Sequence, residues 1–522
     1  MQTGNPMGKS GEQINLNSKR IIAVHGSKGG TGASMIVSNL GIFLAQIGKQ
    51  VLLIDANLSN SGLYAWLGNV KPVYNLSDVL YQRLDTISDA IIETRVTGLF
   101  LLAGSTDIEP GDIYTQGRFD RLWKQIQNIE ADYIIIDLPA TMDQFTLDLF
   151  YLADYSIAVT LPLPDAIETT YNFMSAVWLR GLNKIFEESG IDEAADINLQ
   201  ECAKTDKNPR QVIKCLENID ERAASAARKF TRIFHPHIIV NQIRIKEDEN
   251  VGSAMVSAAS RWLGFAPMLL GSIGWDDNVW LSLRRTKPLL IDFSGSRACK
   301  DLEDIVRSLM GLEYRDLMTP FVISPDSEEQ NYYELLEIYP GASEEEVRRA
   351  FKQIKLWFGI EGIACRGVCT DKEREKFQLM AEKAHAQLVD RSKRREYDRI
   401  HFPEGFSSML NIDEHRQKSI AGTVAVTQAS LPRVELSDDQ FVDGAFLGKI
   451  RKERNIDLVD ISNRAKISVR YLQAIEEERF DELPAAVFTR GFVTEFARFL
   501  KVDPVRAASD FMAVYNSYFD KK

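Results

Sequence analysis

Six short apolar runs set the frame of this chain, at residues 21–24, 51–54, 99–102, 133–136, 156–160 and 238–240. Each has the length of a strand, and none alternates apolar with polar residues, so both faces of each strand must be covered. Helix-length stretches separate them, and strands alternating with helices imply an α/β fold: a parallel sheet with helices on both faces. This rhythm runs over residues 20–321, broken at about 179–229 by charged, helix-prone sequence that is expected to be a helical insertion. Residues 328–402 are helical in pattern and dense in charge. Residues 403–440 mix Gly, Ser, Thr, Pro and His without period and are expected to be a linker. Residues 441–522 return to short helical segments, so two small all-α domains follow the α/β domain, and residues 1–19 are a flexible N-terminus.

Composition narrows the function classes. The chain has 522 residues, 45% hydrophobic and 26% charged, which is that of folded protein. Its formal charge of −12 disfavours wholesale binding to a phosphate backbone. No apolar run reaches the length of about 18 residues that a membrane span requires, and the polar N-terminus lacks a signal-peptide core. Five cysteines, an odd number, argue for a reducing compartment and against a disulfide scaffold. A cytoplasmic location is therefore expected.

The first apolar run leads into Gly26-Ser27-Lys28-Gly29-Gly30-Thr31-Gly32-Ala33-Ser34 and then a helix. Glycines between a strand and a helix N-terminus let backbone N–H groups converge on phosphate oxygens, with the helix dipole adding to the attraction. The spacing resembles the deviant Walker A loop of the MinD/ParA family of P-loop ATPases. In that resemblance Lys28 is the signature lysine that reaches a partner's phosphates across a dimer, and Ser34 helps to hold Mg²⁺. Asp55, closing Val51-Leu52-Leu53-Ile54-Asp55-Ala56-Asn57, and Asp137, in Ile134-Ile135-Ile136-Asp137, match the family's acidic strand ends as Mg²⁺-ordering groups. Asn241, in Val240-Asn241-Gln242-Ile243, matches the residue that reads adenine. The resemblance implies ATP or ADP with Mg²⁺ as cofactor, a bacterial source and a homodimer through this domain.

Two positions depart from the family pattern. Ala33 stands where a lysine contacts the β- and γ-phosphates, and Asn57 stands where an acid positions the attacking water. A charge-assisted hydrogen bond contributes about 1.5–3 kcal/mol, so triphosphate binding is expected to be weakened roughly tens-fold. An amide at Asn57 cannot take a proton. Together these departures point to a pseudo-ATPase, with an active ParA/MinD-type ATPase that positions a cellular cargo as the alternative.

Residues 331–336, then Ser343 to Phe351 with Ser343 and Glu346 in capping-box spacing, and later 382–398, resemble a J domain of the DnaJ class. The His-Pro-Asp tripeptide of that family is replaced by Trp357-Phe358-Gly359, so a docking scaffold is expected rather than a co-chaperone. Cys365 and Cys369 lack further ligands at zinc spacing and are expected to be ordinary loop cysteines. The stripe Leu302, Ile305, Val306, Leu309 and Met310 is expected to be core rather than a membrane-targeting face.

The C-terminal segments have the rhythm of a Cro/repressor-type helix-turn-helix. The run Phe488-Thr489-Arg490-Gly491-Phe492-Val493-Thr494-Glu495-Phe496 resembles the cytoplasmic domain of RodZ, without a transmembrane helix after it. That resemblance implies a protein partner, with Phe488, Arg490, Phe492 and Phe496 as its contacts. DNA remains a second alternative. It is disfavoured by 14 basic against 13 acidic residues over 441–522 and by Glu476-Glu477-Glu478 on the candidate recognition helix. The functional expectation is a scaffold or spatial regulator built on a degenerate nucleotide-binding dimerisation platform.

Overall fold

The computed structural model describes residues 19–58, 61–69, 71–105, 115–189, 193–312, 331–338, 340, 342–402, 441–454, 456, 458, 461, 469–480, 483 and 486–520. The chain divides into two compact units, the first essentially residues 19–312 and the second the helices beyond residue 330.

The first unit is built on an eight-stranded sheet of order β3-β4-β2-β5-β1-β6-β7-β8. Its strands are β1 (Arg20–Gly26), β2 (Val51–Asp55), β3 (Ile91–Glu93), β4 (Leu99–Leu102), β5 (Tyr133–Leu138), β6 (Tyr155–Thr160), β7 (His237–Ile243) and β8 (Met268–Gly274). All pairings are parallel except the short edge strand β3, which runs antiparallel to β4. Every residue of β2 and β5 is buried, as an unbroken apolar run in a sheet covered on both faces requires. The six expected strands are present, most of them longer by one to three residues; β3 and β8 are additional.

Helix packing follows from small residues at close approaches. The helix Ala33–Gln46, α1, lies over the sheet with Gly41 against it; a Cβ there would meet Leu53 at 2.7 Å. The expected insertion begins inside one continuous helix, Pro164–Ser189, and continues as Glu193–Thr205, Pro209–Ile219 and Glu221–Ile233. The fully buried Trp178 donates its indole N–H to Thr231 at 3.0 Å, fastening the long helix to the last of these. Gly181 permits that approach, because a Cβ would meet Tyr151 at 2.5 Å and Phe230 at 2.7 Å. One expectation about cysteine is corrected here: Cys202 and Cys215 are joined by a disulfide between two helices of the insertion. An odd cysteine count excludes complete pairing, not a single bridge. Leu302, Ile305, Val306 and Leu309 are buried on the helix Arg297–Leu312, as core residues. No helix among the described residues is long and apolar enough to cross a membrane.

In the second unit the helices Glu344–Trp357, Asp371–Val389 and Arg391–His401 pack around Val347, Ile354, Phe377 and Leu388. Ser343 and Glu346 form the anticipated reciprocal cap. Tyr333 is fully buried, donates to Asp398 at 2.6 Å and accepts from Arg394 at 2.9 Å. The C-terminal helices are Gly444–Glu453, Val469–Glu476, Ala486–Phe499 and Pro504–Asp520. Gly444 is indispensable to their packing, since a Cβ would fall 1.8 Å from the Ile475 carbonyl oxygen. The second candidate helix, from Asp457, lies largely outside the described residues.

Candidate functional site

The loop after β1 sits at the carboxyl end of the sheet's centre, where β1 is flanked by β5 and β6, and open α/β sheets bind ligands at such an edge. Ser27 N–H bonds the Val159 carbonyl of β6 at 3.0 Å, and the chain then turns through Gly30 (φ +85°) and Gly32 (φ +88°). Both lie in the left-handed region that glycine adopts without strain. Gly26 closes the turn: a Cβ there would lie 2.3 Å from Thr31 Oγ1. Ala33 begins α1, a 14-residue helix whose N-terminal N–H groups end the loop. The loop Gly26 through Ser34 thus turns on glycine into a helix N-terminus, with alanine at position 33.

β7 braces this loop from the side. Asn241, buried, donates Nδ2 to the Thr31 carbonyl at 2.7 Å. Gln242 donates Nε2 to the Gly30 carbonyl at 2.9 Å and holds φ +61° to do so. Asn241 therefore spends its amide on the loop, where the sequence reading assigned it to adenine. Gln242 was missed; only its position next to Asn241 could have marked it. Just beyond, Arg244 stacks 3.8 Å over the half-exposed Trp275, and Trp275 N–H bonds the Ile243 carbonyl at 2.8 Å. This pair, at the ends of β7 and β8, was also not anticipated.

Lys28 makes an ion pair with Asp165, in the first turn of the Pro164–Ser189 helix, at 2.5 Å. The lysine hydrogen bond holds the Asp165 carboxyl below its usual range. The signature lysine is thus engaged within its own chain. Nothing in the sequence order hinted at this partner, which lies 137 residues away.

Asp55 and Asp137 close adjacent strands in register, both buried. Burial, and then the neighbouring Asp55 charge, push Asp137 well above the usual carboxylate range, and a Ser34 hydrogen bond offsets part of that. Asp55 is also raised by burial, although it accepts from Ser61 Oγ (2.8 Å) and from the N–H groups of Asn57 (3.0 Å), Gly62 (3.1 Å) and Leu63 (3.1 Å). Asp55 thus organises the loop after β2, while Asp137 and the Ser34 hydroxyl form the pair best placed for a cation. Two buried carboxylates with no ion-pair partner among the described residues, plus a hydroxyl at the loop, suit Mg²⁺. That ion is commonly held by one or two carboxylates together with substrate phosphates and water. No group of three or more His, Cys, Asp or Glu residues of metal-holding geometry occurs among the described residues.

The raised acids set a pH dependence. A carboxyl whose folded pKa exceeds its free value near 3.8 favours folding most below that value, and this contribution is lost as pH rises through the folded pKa. A divalent cation favours the ionised pair and offsets the loss. The rise in melting temperature on adding Mg²⁺ is therefore expected to be larger at about pH 8 than at about pH 5, and to vanish in Asp137→Asn. Differential scanning fluorimetry with Mg²⁺ against chelator checks this; a shift independent of pH contradicts it.

His25, next to the loop, is buried, stacks on Phe173 with centroids 3.5 Å apart, and faces the Thr141 carbonyl at 3.3 Å. Burial lowers its pKa to about 3, so it is neutral and structural.

The C-terminal candidates divide. Phe496 is fully buried and Phe492, at 8% exposure, stacks on Tyr471, so both belong to the helix core rather than to an exposed contact surface. Arg490 is exposed, and the side chain of Phe488 lies outside the described residues. The acidic triplet also differs from expectation. The Glu476 side chain, 8% exposed, pairs with Arg451 (2.5 and 2.9 Å), and the half-buried Glu478 accepts the Gly444 N–H at 3.2 Å. Glu477 is the exposed member of the triplet and pairs with Arg479 at 2.8 Å, so the charge argument against DNA is weakened at Glu476 and Glu477, whose charges are met by arginines.

Residues 19–178 match the AAA domain family and residues 446–507 match a helix-turn-helix domain family. A MinD-type septum site-determining protein of Oltmannsiellopsis viridis is 25% identical over 305 residues, 58% of this chain and 79% of that protein. The septum site-determining protein MinD of Synechocystis is 32% identical over 32% of this chain, and the chromosome partitioning protein ParA of Caulobacter vibrioides 31% over 29%. Those two alignments span 62% and 58% of the relatives' own lengths. Among solved structures, MinD of Pyrococcus horikoshii complexed with Mg-ADP is 18% identical over 57% of this chain and 99% of that one, with a TM-score of 0.38.

Proposed function

We propose that this chain, which joins a MinD/ParA-type P-loop domain to a helix-turn-helix domain, is a nucleotide-dependent dimerisation platform for protein assembly that hydrolyses ATP slowly or not at all. The observation that carries the reading is the composition of the site. The backbone cradle, Ser34 and the buried pair Asp55–Asp137 are retained, whereas position 33 is alanine and position 57 is asparagine. In-line phosphoryl transfer depends on charge neutralisation and on a positioned nucleophile, and the two replaced positions serve those two needs. Binding groups outlast turnover groups in this chain.

Lys28 supplies a positive charge at the loop. Its ion pair with Asp165 is more than half exposed on the acid side, so screening leaves it easily exchanged for a phosphate. In this reading ATP draws Lys28 from Asp165 toward the nucleotide of a second copy, and dimerisation follows nucleotide binding. The helical unit 331–402 serves as a docking scaffold. It is expected not to stimulate a DnaK-type ATPase, because Phe358, in the replaced tripeptide, is fully buried against Phe377. Several-fold stimulation of such an ATPase by the full chain would show otherwise.

The C-terminal domain binds protein in this reading. DNA is the competing partner, given that Arg451 and Arg479 meet the charges of Glu476 and Glu477, and a salt-dependent DNA titration separates the two. The relatives' names point to positioning processes such as septum placement and chromosome partitioning as the process class. The deciding experiment measures phosphate release and sedimentation with ATP–Mg²⁺ and ADP–Mg²⁺. Near-background release with ATP-dependent dimers supports the platform, and several-fold stronger dimerisation is expected in Asp165→Ala. Sustained turnover that Lys28→Ala abolishes establishes the cargo-positioning ATPase instead.

A further inference from the structure

Between the helices Glu344–Trp357 and Asp371–Val389 the chain makes a tight turn that carries Cys365 and Cys369, neither in a disulfide. Cys365 is 3% exposed, whereas Cys369 is partly open to solvent. Val368 N–H bonds the Cys365 carbonyl at 3.3 Å, and Cys369 Sγ lies 3.9 Å from the same oxygen. The turn therefore folds the second cysteine back over the first, and the Cys365 thiol donates a hydrogen bond to the Cys369 sulfur. A turn closed by the Val368–Cys365 backbone bond holds its ends within about 7 Å, which brings the next residue, Cys369, near the Cα range of about 4.4–6.8 Å that a disulfide spans. Gly367, at φ +79°, takes the left-handed residue of the turn, which keeps the backbone unstrained.

We infer that Cys365 and Cys369 form a redox-active dithiol, a modification site for small disulfides of the glutathione class, with Cys369 as the attacking thiol and Cys365 as the resolving one. The asymmetry assigns the roles. Cys369 is the more exposed of the two and immediately precedes Thr370, the N-cap of a 19-residue helix. The Cys365 hydrogen bond lowers the Cys369 pKa, with Arg374 adding to the effect, against burial and the charges of Glu373 and Asp371. Cys365 is too buried to meet a reagent in solution but is in contact with Cys369.

The chemistry balances with a disulfide oxidant. The Cys369 thiolate attacks one sulfur of oxidised glutathione, forming a mixed disulfide and releasing one glutathione thiolate. The Cys365 thiol then attacks Cys369 Sγ, and its proton passes to the departing sulfur, so the second glutathione leaves as the thiol. Two protein thiols are oxidised to one disulfide and one glutathione disulfide is reduced to two thiols. No metal is required, and none of the residues belongs to the nucleotide site.

The test equilibrates the full chain in buffers of varied reduced-to-oxidised glutathione ratio, quenches with an alkylating agent and maps peptides by mass spectrometry. Cys365 and Cys369 are expected to lose alkylation together, to appear in one disulfide-linked peptide, and to recover on return to reduced glutathione. In Cys365→Ser, a stable glutathione adduct on Cys369 is expected. In Cys369→Ser, Cys365 is expected to remain unmodified. Cys299 and the Cys202–Cys215 pair lie in separate peptides and serve as internal references. Persistence of both thiols under oxidising ratios, or a mixed disulfide on Cys369 in the unsubstituted chain that Cys365 never resolves, overturns the inference.

Discussion

Restoring lysine at position 33 and aspartate at position 57 together is expected to raise ATP turnover from near background to a readily measurable rate, with neither substitution sufficient alone. Ala33 opens α1 at the base of the phosphate cradle, so Ala33→Lys introduces a cation where charge develops on the transferred group. Losing an electrostatic contact of that kind typically costs about 10²–10³ in rate. Asn57 lies two residues beyond β2, its backbone N–H tied to Asp55 Oδ1 at 3.0 Å, and Asn57→Asp restores a carboxylate that can align water, a positioning effect of roughly similar size.

The single variants have distinct signatures. Ala33→Lys should bind ATP roughly tens-fold more tightly without turning it over. Asn57→Asp alone adds a third carboxylate beside the buried pair Asp55–Asp137, raising like-charge repulsion, so it should bind nucleotide no better than the parent. Phosphate release and fluorescent-nucleotide titration on the parent, both single variants and the double variant give the comparison. Turnover in the double variant no higher than in the parent would remove these two positions as the cause of slow hydrolysis.

How far the sequence could be read depended on the range of the interactions concerned. The strands were legible because an unbroken apolar run of β2 or β5 type has few folded states open to it. The cradle was legible because its glycines, a cap-like hydroxyl and the following helix are contiguous. The engagements of its side chains were not. Lys28–Asp165, Asn241–Thr31 and Gln242–Gly30 join residues 137, 210 and 212 positions apart, and a sequence without partners aligned carries no signal for such pairs. At the C-terminus the resemblance over residues 488–496 implied Phe492 and Phe496 as partner contacts, but the two lie one turn apart on the face that is buried, as helically spaced core residues do. Glu476 gives the converse case, an acid in a charged run whose side chain is only 8% exposed, because Arg451 meets it bidentately.

The largest effect expected on stability comes from a residue that the sequence did not single out. Asp148, with no exposed surface, receives Arg180 Nε at 2.7 Å and Nη2 at 3.0 Å, and Lys184 lies 3.4 Å away. This triad joins the helix Gln144–Leu152 to the helix Pro164–Ser189, whose first turn carries Asp165, the partner of Lys28. Asp148→Ala leaves two largely buried cations without their shared anion. Breaking a buried pair in this way costs about 3–5 kcal/mol, because the orphaned charges keep their desolvation penalty. Replacing the whole triad by apolar residues of similar volume, as in Asp148→Leu with Arg180→Met and Lys184→Met, removes both the charges and the penalty, so most of the stability should return. Because the chain has two compact units, a single global melt does not isolate this contact. Native-state hydrogen exchange does: amides of both helices should lose protection by roughly 10²- to 10³-fold in Asp148→Ala and regain it in the triple variant. Unchanged protection in Asp148→Ala would mean that Arg180 and Lys184 find other anions or water at no cost. The α/β unit would then owe the placement of Asp165 to the surrounding apolar packing alone.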